Sequence, residues 1–260
     1  MPLFSVRKMF TGKTEKKVTV HDPNIYTVTL TYHGDADTRL KFNTEISRMT
    51  VGDDTTQYFQ ITRSDVRVND EDTADYIASD LAAQCGNVLY PLQVQVGQDG
   101  TMQSILNHPE ILQRWEEKKI RLKQYFTGPE AHDYIDATGD TLGQANTLLN
   151  AIRQDIFLSA YFQVQCAGNR DSFKTSYYLF PFEAPVVYDV IPTGNRMMNN
   201  LRQTGKEETG NGKLEIKYTF HKIHGLIQSL QAQLDAERGK QAAQITLTAS
   251  CINSDDHRIN

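Results

Sequence analysis

The sequence predicts an α+β fold: an antiparallel, curved β-sheet from N- and C-terminal strand blocks, packed against a central helical insert. Three observations predict it. β-Branched and aromatic residues alternate with polar ones through 16–106 and again through 171–252, whereas 107–163 switches to helical spacing. Short polar turns join the strands, and short connections imply antiparallel pairing because parallel strands need long crossovers. A chain of 260 residues with 39% apolar residues can bury roughly 70–75% of its unfolded surface, so one domain needs no disulfide or metal staple.

In the first block, Tyr26, Val28, Leu30 and Tyr32 fall on one face, with Thr27, Thr29 and Thr31 on the other. Gly34-Asp35 marks a turn, after which Leu40, Phe42 and Ile46 continue the pattern. Gly52-Asp53-Asp54 separates a strand at Glu45–Val51 from one at Gln57–Val68. Asp72 or Thr73 is positioned to cap a helix near 73–85, with Tyr76, Ile77, Leu81 and Ala82 at helical spacing and Gly86 just past its end. Alternation returns from Leu89 to Val96, and Asp99-Gly100 predicts a hairpin into Met102–Leu106.

The insert opens at Asn107 or His108, before Pro109, a residue favoured in the first helical turn. Ile111, Trp115, Leu122 and Phe126 form a stripe that Gly128-Pro129 ends. A short second helix is expected to stop at Gly139. Ala145, Leu148, Leu149, Ile152, Ile156 and Ala160 make the clearest helical face of all. Strands are then expected at Tyr177–Phe182, Val186–Ile191, Leu214–Phe220 and Ile245–Ile252, with Thr204–Lys213 as a loop and 254–260 as a polar, mobile tail. Gly100-Thr101-Met102-Gln103-Ser104-Ile105 echoes Gly225-Leu226-Ile227-Gln228-Ser229-Leu230; convergent hairpin chemistry is the favoured cause and a duplicated hairpin the alternative.

Composition narrows function by exclusion. The net charge of −5, from 27 basic and 32 acidic residues, argues against a general nucleic-acid binder. The three cysteines, Cys85, Cys166 and Cys251, are far apart and form no CxxC pair, so neither a zinc site nor a disulfide framework is expected. Residues 1–10 contain no continuous apolar run, and no stretch approaches the ~20 apolar residues of a membrane span. The expected location is cytoplasmic.

Each candidate reactive group has a simpler reading. Gly205–Lys213 fails as a phosphate loop because Glu207 stands where the first glycine is required and Leu214 follows the lysine. His221 and His224, three apart on a strand, point to opposite faces and cannot readily share a metal. His21 and His33 sit beside turns, where exposure is expected. His108 and His132 lie near helix starts and need only a neutral polar role. Cys85 lies near a helix C-terminus, where the dipole disfavours a thiolate. Glu116-Glu117 and Asp53-Asp54 are sequence neighbours, not carboxylates opposed across a cleft. Arg114–Lys123 carries Glu117–Arg121 and Glu116–Lys119 spacings, as expected of a solvated helix face.

What remains is an aromatic concentration: Tyr161, Phe162, Phe173, Tyr177, Tyr178, Phe180, Phe182 and Tyr188. Most should be core, while Tyr161, Phe173, Tyr177, Tyr178, Phe180, Phe182 and Tyr188 are candidates for contact with a ligand or partner. No catalytic residue, metal ligand or cofactor site is expected. The first functional expectation is a non-enzymatic interaction or assembly component that binds protein, or itself, through a sheet edge or this patch. The alternative is a carrier of an apolar small molecule held between curved sheet and helices. An enzyme with a site assembled from scattered residues ranks third.

Overall fold

Residues 18–51, 56–166, 170–223 and 225–252 are described by the structure, a computed structural model. The expectations for Asp53-Asp54, His224 and the 254–260 tail lie outside the described residues. The chain begins with β1 (Val18–Val20), β2 (Asn24–His33), β3 (Thr38–Val51), β4 (Gln57–Val68) and the short β5 (Glu71–Asp72). Helix α1 (Ile77–Gly86) leads to β6 (Leu92–Val96) and β7 (Met102–Ile105). Four helices follow: α2 (His108–Tyr125), α3 (Pro129–Gly143), α4 (Ala145–Ile152) and α5 (Ile156–Cys166). The C-terminal block comprises β8 (Phe173–Tyr177), β9 (Val186–Asn195), β10 (Asn200–Glu207), β11 (Lys213–Phe220), β12 (Ile227–Arg238) and β13 (Gln241–Cys251).

All of these strands belong to one antiparallel sheet in the order β7-β6-β4-β3-β2-β13-β12-β11-β10-β9-β8, with β1 on β3 and β5 on β4. The two blocks join where β2 pairs with β13, Tyr26 opposite Cys251 and Leu30 opposite Leu247. The sheet is not closed, and β7 and β8 are its edges. The predicted inward face of β2 is buried at Tyr26, Val28 and Leu30, and the α2 stripe is buried at Ile111, Trp115, Leu122 and Phe126.

The core centres on α5. Ile156, Phe157, Leu158, Ala160, Tyr161, Phe162 and Val164 are all buried, so the helix is apolar around most of its circumference, with Ser159 and Gln163 as a partly exposed polar stripe. It touches widely separated strands. Phe157 and Tyr161 pack on Tyr26 of β2, with ring centroids 5.8 and 5.5 Å apart. Phe162 meets Phe59 of β4 at 4.8 Å. From β11, the Tyr218 hydroxyl donates to the Ala160 carbonyl at 3.1 Å.

Several elements differ from expectation. Asp72 caps only a single turn at Thr73–Asp75, α1 starts at Ile77 and includes Gly86, and β12 is a strand where none was expected. Gly139 does not end a helix but lies within α3, where an added Cβ would stand 3.0 Å from Trp115 Nε1; the glycine lets α2 and α3 approach. The stripe through 145–160 is two helices, because the chain turns at 153–155 and Asp155 Oδ1 accepts the Leu158 N–H at 2.9 Å, starting α5 afresh. Thr204–Glu207 is strand, paired with both β9 and β11, so only 208–212 forms the turn. Tyr178–Phe182 is not strand: β8 stops at Tyr177.

The hairpin predicted at Asp99-Gly100 joins β6 to β7. Gly100 adopts φ +82°, and a Cβ there would fall 2.5 Å from the Gln163 Cα, so both backbone and α5 demand glycine. The echo segment begins β12 after Gly225, which also has positive φ (61°).

Candidate functional site

The seven aromatic candidates do not assemble into one surface. Tyr161 is in the central core, and Tyr177 and Tyr188 are buried with ring centroids 6.5 Å apart. Tyr188 donates to the Asp235 carbonyl at 2.7 Å. Phe173 and Phe182 are half-buried, Phe182 beneath the Arg238 guanidinium at 5.1 Å. Tyr178 and Phe180 are exposed, Phe180 to 82%.

A cavity of about 430 Å³ lies elsewhere, between the N-terminal half of the sheet and α1, α3, α4 and α5. Leu30 of β2 and Leu40 and Phe42 of β3 form one wall. Cys85 of α1, Leu142 of α3, Leu148 and Ile152 of α4 and Leu158 of α5 form the others. The exposed lining residues Tyr134, Ala151 and Gln154 mark its mouth. A second chamber of about 400 Å³ lies along α1 and shares Leu40, Phe42, Arg63, Leu89 and Tyr90 with the first. None of the seven aromatic candidates lines either chamber.

Arg63 and Asp155 are the charged groups in this mostly apolar lining, beside the hydroxyls of Tyr32 and Tyr90. In β4, Arg63 follows Phe59 and Ile61 at period two, so the strand that places those two in the core also turns this side chain inward. Its Nη2 donates to Asp155 Oδ2 at 2.5 Å, and the two side chains are only 17% and 18% exposed. The guanidinium lies over the Phe42 ring at 3.9 Å and near Tyr90 at 5.5 Å. Its Nε is buried without a hydrogen-bond partner. Burial works against the Arg63 charge, but Asp155 more than offsets this and keeps the guanidinium firmly protonated. Burial pushes the Tyr90 hydroxyl up to about 12.

The other sequence candidates have structural roles. The Cys85 thiol is buried in the cavity wall, and burial raises its pKa, which disfavours a nucleophile. His108 Nε2 lies 2.7 Å from the Leu142 carbonyl and His132 Nε2 3.2 Å from that of Lys123, both near helix C-termini. His21 is exposed, whereas His33 is half-buried between Asp37 and Thr246. The α2 charges do more than face solvent. Arg114 donates to the Val88 carbonyl at 2.8 Å, and Lys119 and Lys123 reach Asp136 of α3 at 3.1 and 2.7 Å. Glu207, in the rejected phosphate-loop segment, is buried. It accepts from Gly212 N–H at 3.2 Å and Arg238 Nε at 3.3 Å. Among the described residues, no group of three or more His, Cys, Asp or Glu side chains could hold a metal ion. No described helix is long and apolar enough to cross a membrane.

No protein-family model matches this chain, and no curated protein matches it. A solved structure described as lipid–protein interactions in lipovitellin is similar over 94% of this chain, at 10% identity and a TM-score of 0.45. This chain spans about a quarter (26%) of that one. At that identity and score the likeness bears on neither site nor function.

Proposed function

We propose that the protein binds an apolar small molecule in the space between the N-terminal half-sheet and helices α1, α3, α4 and α5. The 430 Å³ cavity carries this reading. Its size falls within the roughly 300–1,000 Å³ of small-molecule sites, and such sites combine an apolar lining with a few placed polar groups. The sheet is read as curved around α5. Strands β4 and β11 are five spacings apart, about 24 Å if the sheet were flat, yet both contact this one helix of about 10–12 Å diameter. Curvature of that kind leaves a concavity that the helices cover incompletely. Native mass spectrometry of protein purified without denaturation tests the proposal. A discrete added mass, lost on denaturation, is expected, and ligand-free protein that takes up no added apolar compound would count against it.

A second reading, contact with a protein partner or a second copy, rests on one end of the C-terminal half-sheet. Met197 and Ile223 are 93% and 81% exposed, and their turns are linked by the Phe220 N–H donating to the Asn199 carbonyl at 3.0 Å. Exposed apolar side chains on neighbouring turns suit a contact surface. The same spectrum reads subunit number, and a Met197→Lys, Ile223→Lys variant should lose any oligomer seen.

A further inference from the structure

The Arg63–Asp155 pair points to what kind of apolar molecule the cavity takes, an inference that rests on the small-molecule reading above. Both oxygens of Asp155 are engaged: Oδ2 accepts from Arg63 Nη2, and Oδ1 accepts the Leu158 N–H at the start of α5. Arg63 is engaged less completely. Among the described residues Asp155 is its only hydrogen-bond partner, Nε is buried without one, and the side chain lines both chambers. A guanidinium carries five N–H donors and no acceptor, so most of its capacity here has no protein partner. Buried donors left unmade are costly, and a packed structural ion pair would be expected to satisfy them. Nε itself is closed off from the cavity, so the Nη nitrogens, on a side chain that lines both chambers and is 17% exposed, are the donors that an acceptor oxygen in the cavity would meet.

Charge selects among acceptors. The pair is already neutral, so a carboxylate entering the chamber would bring a second negative charge beside Asp155 without a second cation. Among the described residues lining the two chambers, Arg63 is the one cationic side chain and Asp155 the one acidic side chain. An uncharged carbonyl, ester or hydroxyl oxygen accepts from Arg63 without that penalty. We propose that the cavity selects uncharged apolar molecules bearing one hydrogen-bond-accepting oxygen, and that Arg63 is the group that recognises it. Asp155 positions the guanidinium and balances its charge.

The test is competition against N-phenyl-1-naphthylamine, a neutral apolar dye, at pH 7.5 by decane, decan-2-one and decanoate. Decan-2-one should displace the dye at roughly tenfold lower concentration than decane, the factor expected of one hydrogen bond from a charged donor. Decanoate should be weaker than the ketone. In Arg63→Met, Asp155→Asn, where neither charge remains and asparagine can still accept the Leu158 N–H, decane should still compete and the ketone advantage should vanish. Should that double variant fail to fold, the three-ligand series on the unaltered protein decides alone, with Arg63→Lys expected to shrink the advantage. Equal displacement by ketone and alkane, or tighter binding of decanoate, overturns the inference while leaving a general apolar site standing. Failure of the dye to bind the unaltered protein overturns both.

Discussion

Two buried charges, one under each half of the sheet, are held in opposite ways. Glu207, beneath the C-terminal half, has a side chain only 1% exposed, and a closed arrangement surrounds it. Its oxygens accept from Gly212 and Arg238, and an added Cβ at Gly210 or Gly212 would fall 2.5 or 2.6 Å from Oε2. Nothing more could approach. Arg63, beneath the N-terminal half, has one hydrogen-bonding partner among the described residues and two chambers beside it. A buried charge enclosed on all sides is a device of the fold, whereas one whose side chain lines a cavity can meet a ligand. The C-terminal half holds Tyr188 and Tyr218 each to a backbone carbonyl, and the N-terminal half leaves a chamber beneath the helices.

That contrast can be broken most forcefully by adding the same side chain to each half. Ala232 of β12 is buried opposite Ile216 and Leu247. Ala232→Phe should cost about 3 kcal/mol, the upper part of the overpacking range, in urea unfolding. Cys85→Phe, growing into the cavity, should cost under about 1 kcal/mol. Similar costs at both positions would mean that the N-terminal half is as tightly packed as the other.

The buried carboxylate comes next. Glu207→Ala should lower unfolding stability by about 2–3 kcal/mol, below the full cost of breaking a buried pair because Arg238 is partly solvated. It should leave apolar dye binding unchanged. Loss of binding on this substitution would show that the two halves are not separable.

A smaller effect is expected at high pH. Burial raises Tyr90 to about 12 and Tyr218 well above the ordinary 10.0, so folding favours the protonated hydroxyls. The stability they contribute is complete below pH 10, where unfolded tyrosine begins to ionise, and is lost as pH rises toward 12. Chemical unfolding at pH 8, 9.5 and 11 should show the decline only at the last, and Tyr90→Phe should reduce it. The mildest probe is Cys85 itself. Its buried thiol should react slowly with a maleimide at pH 7.5, and more slowly still when an apolar ligand fills the cavity.

The sheet was largely legible from alternation, since Tyr26, Val28 and Leu30 obey a period that few other arrangements satisfy. The helical insert was legible for a similar reason, but its internal joints were not. Gly139 reads as a stop signal unless Trp115 is known to lie against it, and that contact crosses two helices. Asp155 sits inside an unbroken apolar stripe, so its role in starting α5 depends on the turn at 153–155. The aromatic concentration misled because chain proximity brought core rings such as Tyr161 and Tyr177 together with surface ones such as Phe180. The cavity went unread for a different reason: its walls come from eight strands and helices, and empty space has no sequence pattern. One signal was present. Phe59, Ile61 and Arg63 share a strand face, and a charge continuing an inward apolar run marks a place where the core changes character.

The most direct test of the central claim is titration of N-phenyl-1-naphthylamine into the unaltered protein and Cys85→Phe, followed by its fluorescence. The account predicts saturable binding to the unaltered protein, with affinity reduced at least tenfold in a Cys85→Phe variant that loses less than about 1 kcal/mol of stability in urea. Binding that is absent, or equally tight in the two proteins, would contradict it.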